Sequence, residues 1–303
     1  MPLDPFLAAK LHLLDGLDLS HRETSPETAR RFTEFERDPA DWKMPDIDTE
    51  DRSIPGPHGP IPLRVYTPKG QPRGAAMWLH GGGFAAGDLD MPEAHTVAAE
   101  LCVRAQLLVV SVDYRLAAHG TRYPIPVDDA HAAWQWLVRQ RSGPIALGGA
   151  SAGAAIALST ALRLRDRKGP LPAALLLAYP LAHFPVPALD DESAAAMREL
   201  PPALRCRPDA IEAMVRTYTG RVSHVPQQAL PGAADLTGLP PAGIVLSEFD
   251  DLRPSGELLA RQLQESNVAV SIHLAAGMPH GHLNRTPTLK AVDASLSFLA
   301  GWV

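Results

Sequence analysis

From residue 61 onward, short apolar runs alternate with stretches of helical periodicity. Ile61–Tyr66 and Ala75–Leu79 predict strands, and Leu107–Val112, apolar at nearly every position, predicts a strand buried on both faces. Further strands are expected at Ile145–Leu147, Ala173–Ala178, Gly243–Leu246 and Val268–Leu274. Helical patterns fall between and after them, at Pro92–Arg104, Val127–Arg139, Ala154 to about Arg165, Ser255–Gln264 and Thr288–Ala300. In the second of these, Ala130, Trp134, Leu137 and Val138 are spaced for one buried face. Strands and helices in alternation, with strands this apolar, imply a mostly parallel sheet covered on both faces.

Two regions break the alternation. Residues 1–45 are amphipathic, with Phe6, Leu7, Leu11 and Leu14 at helical spacing, followed by Phe32 and Phe35. Residues 183–236 are rich in proline and hold one helical pattern, Asp209–Tyr218. A long irregular insertion between two strands suggests a lid or a binding element. The expected organisation is an N-terminal cap segment over residues 1–50 and a catalytic domain over 51–303, with a cap insertion at about 183–236.

Composition narrows the function classes. Hydrophobic residues make up 46% of 303, enough for a sizeable core, while a net charge of −6 without a basic block removes the electrostatic basis for nucleic-acid binding. Cys102 and Cys206 are the only cysteines, which excludes a disulfide framework or a cysteine metal cluster and suits a reducing cytoplasm. Asp4, Asp15 and Asp18 interrupt the N-terminal apolar pattern, which has only Lys10 as a cation, unlike a signal peptide. No uninterrupted apolar run reaches the roughly 18 residues of a membrane span. A cytoplasmic protein is expected.

The candidate chemistry begins at Gly149-Ala150-Ser151-Ala152-Gly153, a G-x-S-x-G set between a predicted strand and a predicted helix. That is the context of a nucleophile elbow. His80-Gly81-Gly82-Gly83-Phe84 ends another strand, and its consecutive glycines leave backbone N–H groups unshielded, as an oxyanion hole requires. A serine nucleophile needs a histidine base and a carboxylate to orient it. Asp250 and Asp251 follow one predicted strand; His280 and His282 follow the next. Both lie at carboxyl ends of strands, where open sheets place their sites. Spacing alone leaves the choice between the two aspartates open.

These motifs resemble those of the hormone-sensitive-lipase-like α/β hydrolases. His80-Gly81-Gly82-Gly83-Phe84 with Gly87-Asp88 is similar to their HGGGF…GD element, and Asp113-Tyr114-Arg115-Leu116-Ala117 to their Y-R-L-A-P segment. Val127-Asp128-Asp129-Ala130, Glu248-Phe249-Asp250-Asp251-Leu252-Arg253 and His280-Gly281 follow in the family's order. The resemblance implies an α/β-hydrolase fold, a mostly parallel eight-stranded sheet flanked by helices, with a small helical cap. It implies a carboxylesterase with Ser151 as nucleophile, His280 as base and Asp250 as the orienting acid, since Asp251 stands where the family has Pro. The oxyanion donors would be the N–H groups of Gly82, Gly83 and Ala152. Phe84, Phe184, Met214 and His282 are the candidate substrate contacts.

No cofactor or metal is implied, the partner is a small ester, and a homodimer through the last strand is left open. Amide, formamide and lactone hydrolysis share the same machinery, and a non-catalytic receptor on this scaffold would be expected to lose the His. The chain departs from the family at Ala150, where an acid usually stands, at Ser255, where a Glu does, and over Ala118–Arg122.

Overall fold

The sheet is built around four central strands, Gly74–Leu79, Leu107–Val112, Ile145–Ala150 and Ala174–Ala178, that are buried on both faces of the pleat. In the computed structural model, which describes residues 2–17 and 25–303, the order across the sheet is β1-β2-β4-β3-β5-β6-β7-β8. In chain order these are β1 (Ile47–Ile54), β2 (Ile61–Pro68), β3 (Gly74–Leu79), β4 (Leu107–Val112), β5 (Ile145–Ala150), β6 (Ala174–Ala178), β7 (Ala242–Phe249) and β8 (Val270–Pro279). β1 and β2 pair antiparallel, as do β2 and β4; every other pairing is parallel. Within β3, Ala75, Met77 and Leu79 enter one core and Ala76 and Trp78 the other, the period of two that a doubly covered strand produces.

Nine α-helices are described: α1 (Pro5–Ala8), α2 (Pro26–Glu36), α3 (Pro92–Ala105), α4 (Ile125–Gln140), α5 (Ala152–Asp166), α6 (Asp191–Arg198), α7 (Pro208–Thr219), α8 (Arg253–Glu265) and α9 (Lys290–Ala300). α3 and α9 bury their apolar faces against one side of the sheet; α4, α5 and α8 bury theirs against the other. The mostly parallel sheet expected from the alternation is therefore present, with eight strands. β1 was not predicted, because its sequence Ile-Asp-Thr-Glu-Asp-Arg-Ser-Ile is nearly all exposed and carries no apolar alternation.

The N-terminal segment and the 183–236 excursion meet each other. Leu3 and Leu7 pack with Met197 and Leu200 around Phe249, Ala275 and Met278, at the carboxyl ends of β7 and β8. Asp4 caps α1 with its side chain and donates its own N–H to the carbonyl of Gly277 at 2.9 Å. α6, capped by Asp190, has no counterpart in the predicted helices. Residues 1 and 18–24, part of the expected N-terminal cap, lie outside the described residues.

Candidate active site

Ser151 sits between β5 and α5 with φ 53° and ψ −115°, a sparsely populated conformation for a residue with a side chain. The turn is tight enough that a Cβ on Gly153 would lie 2.1 Å from the carbonyl oxygen of Leu79, so the second glycine of the motif is required by contact. Ser151 is buried, yet its Oγ lies 3.0 Å from Nε2 of His280. His280 follows β8, and its Nδ1 lies 2.7 Å from Oδ2 of Asp250, which follows β7 and is wholly buried. The other oxygen of Asp250 accepts the N–H of Leu252 at 2.8 Å, which fixes the carboxylate plane.

Burial alone would lower the His280 pKa, but the charge and hydrogen bond of Asp250, with Glu93 and Asp251 adding, raise it above the ordinary imidazole value. The neighbouring Asp251 is engaged elsewhere: both its oxygens accept from Arg205, at 2.8 and 2.9 Å, and one also accepts the N–H of Cys206. Geometry thus separates two carboxylates that spacing could not.

Gly82, Gly83 and Phe84 all have positive φ, at 100°, 61° and 67°. The N–H groups of Gly82 and Gly83 take no partner among the described residues, nor does that of Ala152, the first residue of α5 and so an open helix-end donor. Met214 on α7 reaches this loop: its Cε is 3.0 Å from where a Cβ on Gly83 would stand.

The proposed substrate contacts divide. Phe184 lines an apolar cavity of about 300 Å³ with Val186, Leu189, Cys206 and Ile211. Phe84 is fully buried and stacks face to face on Tyr218, centroids 3.8 Å apart, and it lines neither that cavity nor the one beside His280. Its place in the motif specifies loop shape rather than exposure. His282 is 1% exposed, with Nδ1 on the Ser247 hydroxyl at 2.8 Å and Nε2 on that of Ser295 at 2.9 Å. It reaches the wall of a second cavity, of about 270 Å³ beside His280, with no ring nitrogen free for a ligand. It therefore stands on a cleft wall with both ring nitrogens already held by serines. Burial, with the charges of His280 and His273, pushes its pKa down to about 3.

Of three further groups that support the site, two, Glu93 and Arg205, escaped the sequence reading, and the third, Ser255, entered it only as a departure from the family. Glu93, buried at the start of α3, accepts from Gly81 N–H and the Tyr179 hydroxyl. Arg205 ties Asp251 to the carbonyl of Met197 in α6. Ser255, one of the family departures, is buried and accepts the N–H groups of Ala182 and His183, anchoring the start of the excursion. A single Glu in a first helical turn looks like a solvated cap, so only the sequence proximity of Glu93 to the His80–Phe84 loop hinted at it. Among the described residues no group of His, Cys, Asp and Glu has the arrangement of a metal site.

A doubly covered parallel sheet, a strained serine on the turn after its central strand, and a histidine and carboxylate after two later strands define the α/β-hydrolase class. The sequence profile described as "alpha/beta hydrolase fold" matches residues 76–284, and the chain belongs to that family. Across 304 aligned positions it is 34% identical to esterase LipI of Mycobacterium tuberculosis, spanning 95% of this chain and 90% of LipI. Carboxylesterase NlhH of the same species is 34% identical over 80% of this chain and 77% of its own. Among solved structures, an esterase from the archaeon Pyrobaculum calidifontis is 31% identical, with a TM-score of 0.79 over 99% of this chain and 97% of that one. The resemblance to the hormone-sensitive-lipase-like branch holds within this family.

Proposed function

We propose that the chain is a serine carboxylesterase that cleaves short- to medium-chain carboxylic esters through an acyl-enzyme. The observation that carries this reading is the unbroken relay from Ser151 Oγ to His280 Nε2 at 3.0 Å and from His280 Nδ1 to Asp250 at 2.7 Å. His280 takes the hydroxyl proton as Oγ attacks the ester carbonyl, and Asp250 stabilises the imidazolium that forms. The open N–H groups of Gly82, Gly83 and Ala152 receive the negative charge on the former carbonyl oxygen. His280 then hands its proton to the departing alcohol, and the acyl group stays on Ser151. A water molecule, deprotonated by His280, attacks the acyl carbon and regenerates the serine.

The cavity that touches the relay, through His280, holds about 270 Å³, below the roughly 300–1,000 Å³ of usual ligand pockets, which supports short acyl chains over triglycerides. The esterase names of the relatives favour esters over amides and lactones. A receptor role would leave the intact His280 without purpose. Among the described residues no helix is long and apolar enough to cross a membrane. Unpaired Cys102 and Cys206 support a cytoplasmic location, and the exposed edge of β8 supports a homodimer.

A panel of p-nitrophenyl esters tests the reading together with a fluorophosphonate probe. The wild type should be labelled at Ser151, with rates peaking below about eight acyl carbons. Ser151→Ala should lose label and at least about 10⁴-fold in kcat. Turnover that survives in Ser151→Ala would remove the mechanism.

A further inference from the structure

We propose that Glu93 is a positioning residue of the hydrolytic site: its buried carboxylate, delivered by α3, holds the oxyanion loop against the turn that carries His280. The inference rests on the reading of Ser151, His280 and Asp250 given above, and adds a residue that touches neither substrate nor the reacting atoms.

Three segments converge on this one side chain. Oε2 accepts the N–H of Gly81, the residue before the two open donors of Gly82 and Gly83, at 2.7 Å. Oε1 accepts the Tyr179 hydroxyl, from the end of β6, at 2.5 Å. It also accepts the Asn284 side-chain amide, four residues beyond His280, at 3.3 Å; the same amide bonds the carbonyl of Gly281 at 3.2 Å. The indole of Trp78 holds the carbonyl of Glu93 at 2.8 Å, so the backbone beneath the carboxylate is also pinned. A Cβ on Gly81 would lie 2.3 Å from Oε2. The first glycine of the triplet is therefore the space that the carboxylate occupies.

Donor and acceptor counting identifies the state of the group. Three donors meet two oxygens, which suits an ionised, acceptor-only carboxylate. Its place in the first turn of α3 adds the favourable end of the helix dipole. Burial outweighs the bonds from Tyr179 and Gly81 and the charge of His280, so its pKa is raised above the ordinary carboxylate value, and those bonds and that charge are what limit the rise. Tyr179 completes the link to the base, with its ring edge-on to that of His280, centroids 5.0 Å apart. It holds this place with φ 35°, a strained backbone for a tyrosine.

The function that follows is mechanical and electrostatic. Donors on one loop and the base on another must be held in mutual register while charge develops between them, and small misplacements there cost rate rather than binding. A negative charge at Glu93 also favours the imidazolium of His280, alongside Asp250 and Asp251. His282, the remaining titratable group against this face of Tyr179, is neutral at working pH. Arg205 and Arg285 border the cavity on the other side of His280, each paired with its own aspartate, Asp251 and Asp38.

Glu93→Gln, nearly isosteric and uncharged, is the test, with active sites counted by fluorophosphonate titration. kcat per titrated site should fall about tenfold to hundredfold with KM within about twofold. The acidic limb of kcat/KM should move to lower pH, because the base loses a charge that favoured its protonation. Glu93→Asp, which keeps the charge and shortens the reach, should leave the limb in place and recover part of kcat. Wild-type kcat per titrated site, or an unmoved limb in Glu93→Gln, overturns the proposal. So does a loss confined to the fraction of titratable sites, which would make Glu93 a folding residue only. Should Glu93→Gln fail to fold, Tyr179→Phe combined with Asn284→Leu removes two of the donors and keeps the charge. It should lower kcat without moving the limb, and unchanged kcat overturns the proposal. A wild type that takes no label at Ser151 would instead remove the catalytic reading on which this one stands.

Discussion

Asp250 and Asp251 are adjacent carboxylates with separate partners, and their substitutions should separate accordingly. Asp250→Asn leaves shape intact but presents an amide to Nδ1 of His280, which favours the wrong tautomer and should lower kcat about 10⁴-fold. Asp251→Asn loosens the two bonds from Arg205 and should cost stability more than rate, read by chemical denaturation beside steady-state kinetics. Equal losses of kcat in both would contradict the division. Wild-type kcat/KM should fall with acid as His280 protonates, and because its pKa is raised, the limb should lie above the ordinary value of about 6.5. Residue identities at the nucleophile and oxyanion loop were legible in the sequence because strained turns and close contacts admit few residue types. Burial was not: Phe84 holds a motif position that looks exposed but packs under Tyr218, and His282, on a cavity wall, has both ring nitrogens held by two serines.

At the level of elements, legibility followed burial. β4, apolar at every position but Ser111, declares itself in the chain; β1, charged and exposed, forms only because β2 offers it a partner. α6 is short and Ala-rich, with only Met197 buried, so no apolar stripe marked it. β8 is the element with most left to do. It pairs only with β7 and ends the sheet, and Ile272 and Leu274, two residues apart on one face, are 47% and 44% exposed. Uncovered apolar edges of this kind invite pairing with another strand, and a two-fold axis would bring a second β8 alongside. Light scattering of the wild type should therefore report a dimer, and Ile272→Lys a monomer with unchanged kcat. A monomeric wild type at tens of micromolar would dispose of that interface.

For the whole molecule, acid should act through His282 before it acts on the carboxylates. Folded, His282 has a pKa of about 3; unfolded, it returns to about 6.5. The unfolded chain thus binds the extra proton between those limits, and stability present above pH 6.5 drains as pH falls. From pH 8 to pH 5 the loss should be on the order of 2 kcal/mol from this residue, measured by urea unfolding. His80 and His183, lowered by burial, act in the same sense, while His280, raised, opposes them. His282→Phe should flatten the slope, at a cost at pH 8 of about 1–3 kcal/mol for the unpaired Ser247 hydroxyl. An unchanged slope in that variant would acquit His282. A different kind of consequence attaches to Cys206, which belongs to the walls of both cavities. It is the residue that the two linings share, and its side chain stands outside the relay, so a single substitution there changes the room on both sides at once. On the reading that an ester occupies these cavities, trimming this residue should widen the range of acyl groups accepted while leaving Ser151, His280 and Asp250 in place, so selectivity would be tuned apart from bond breaking.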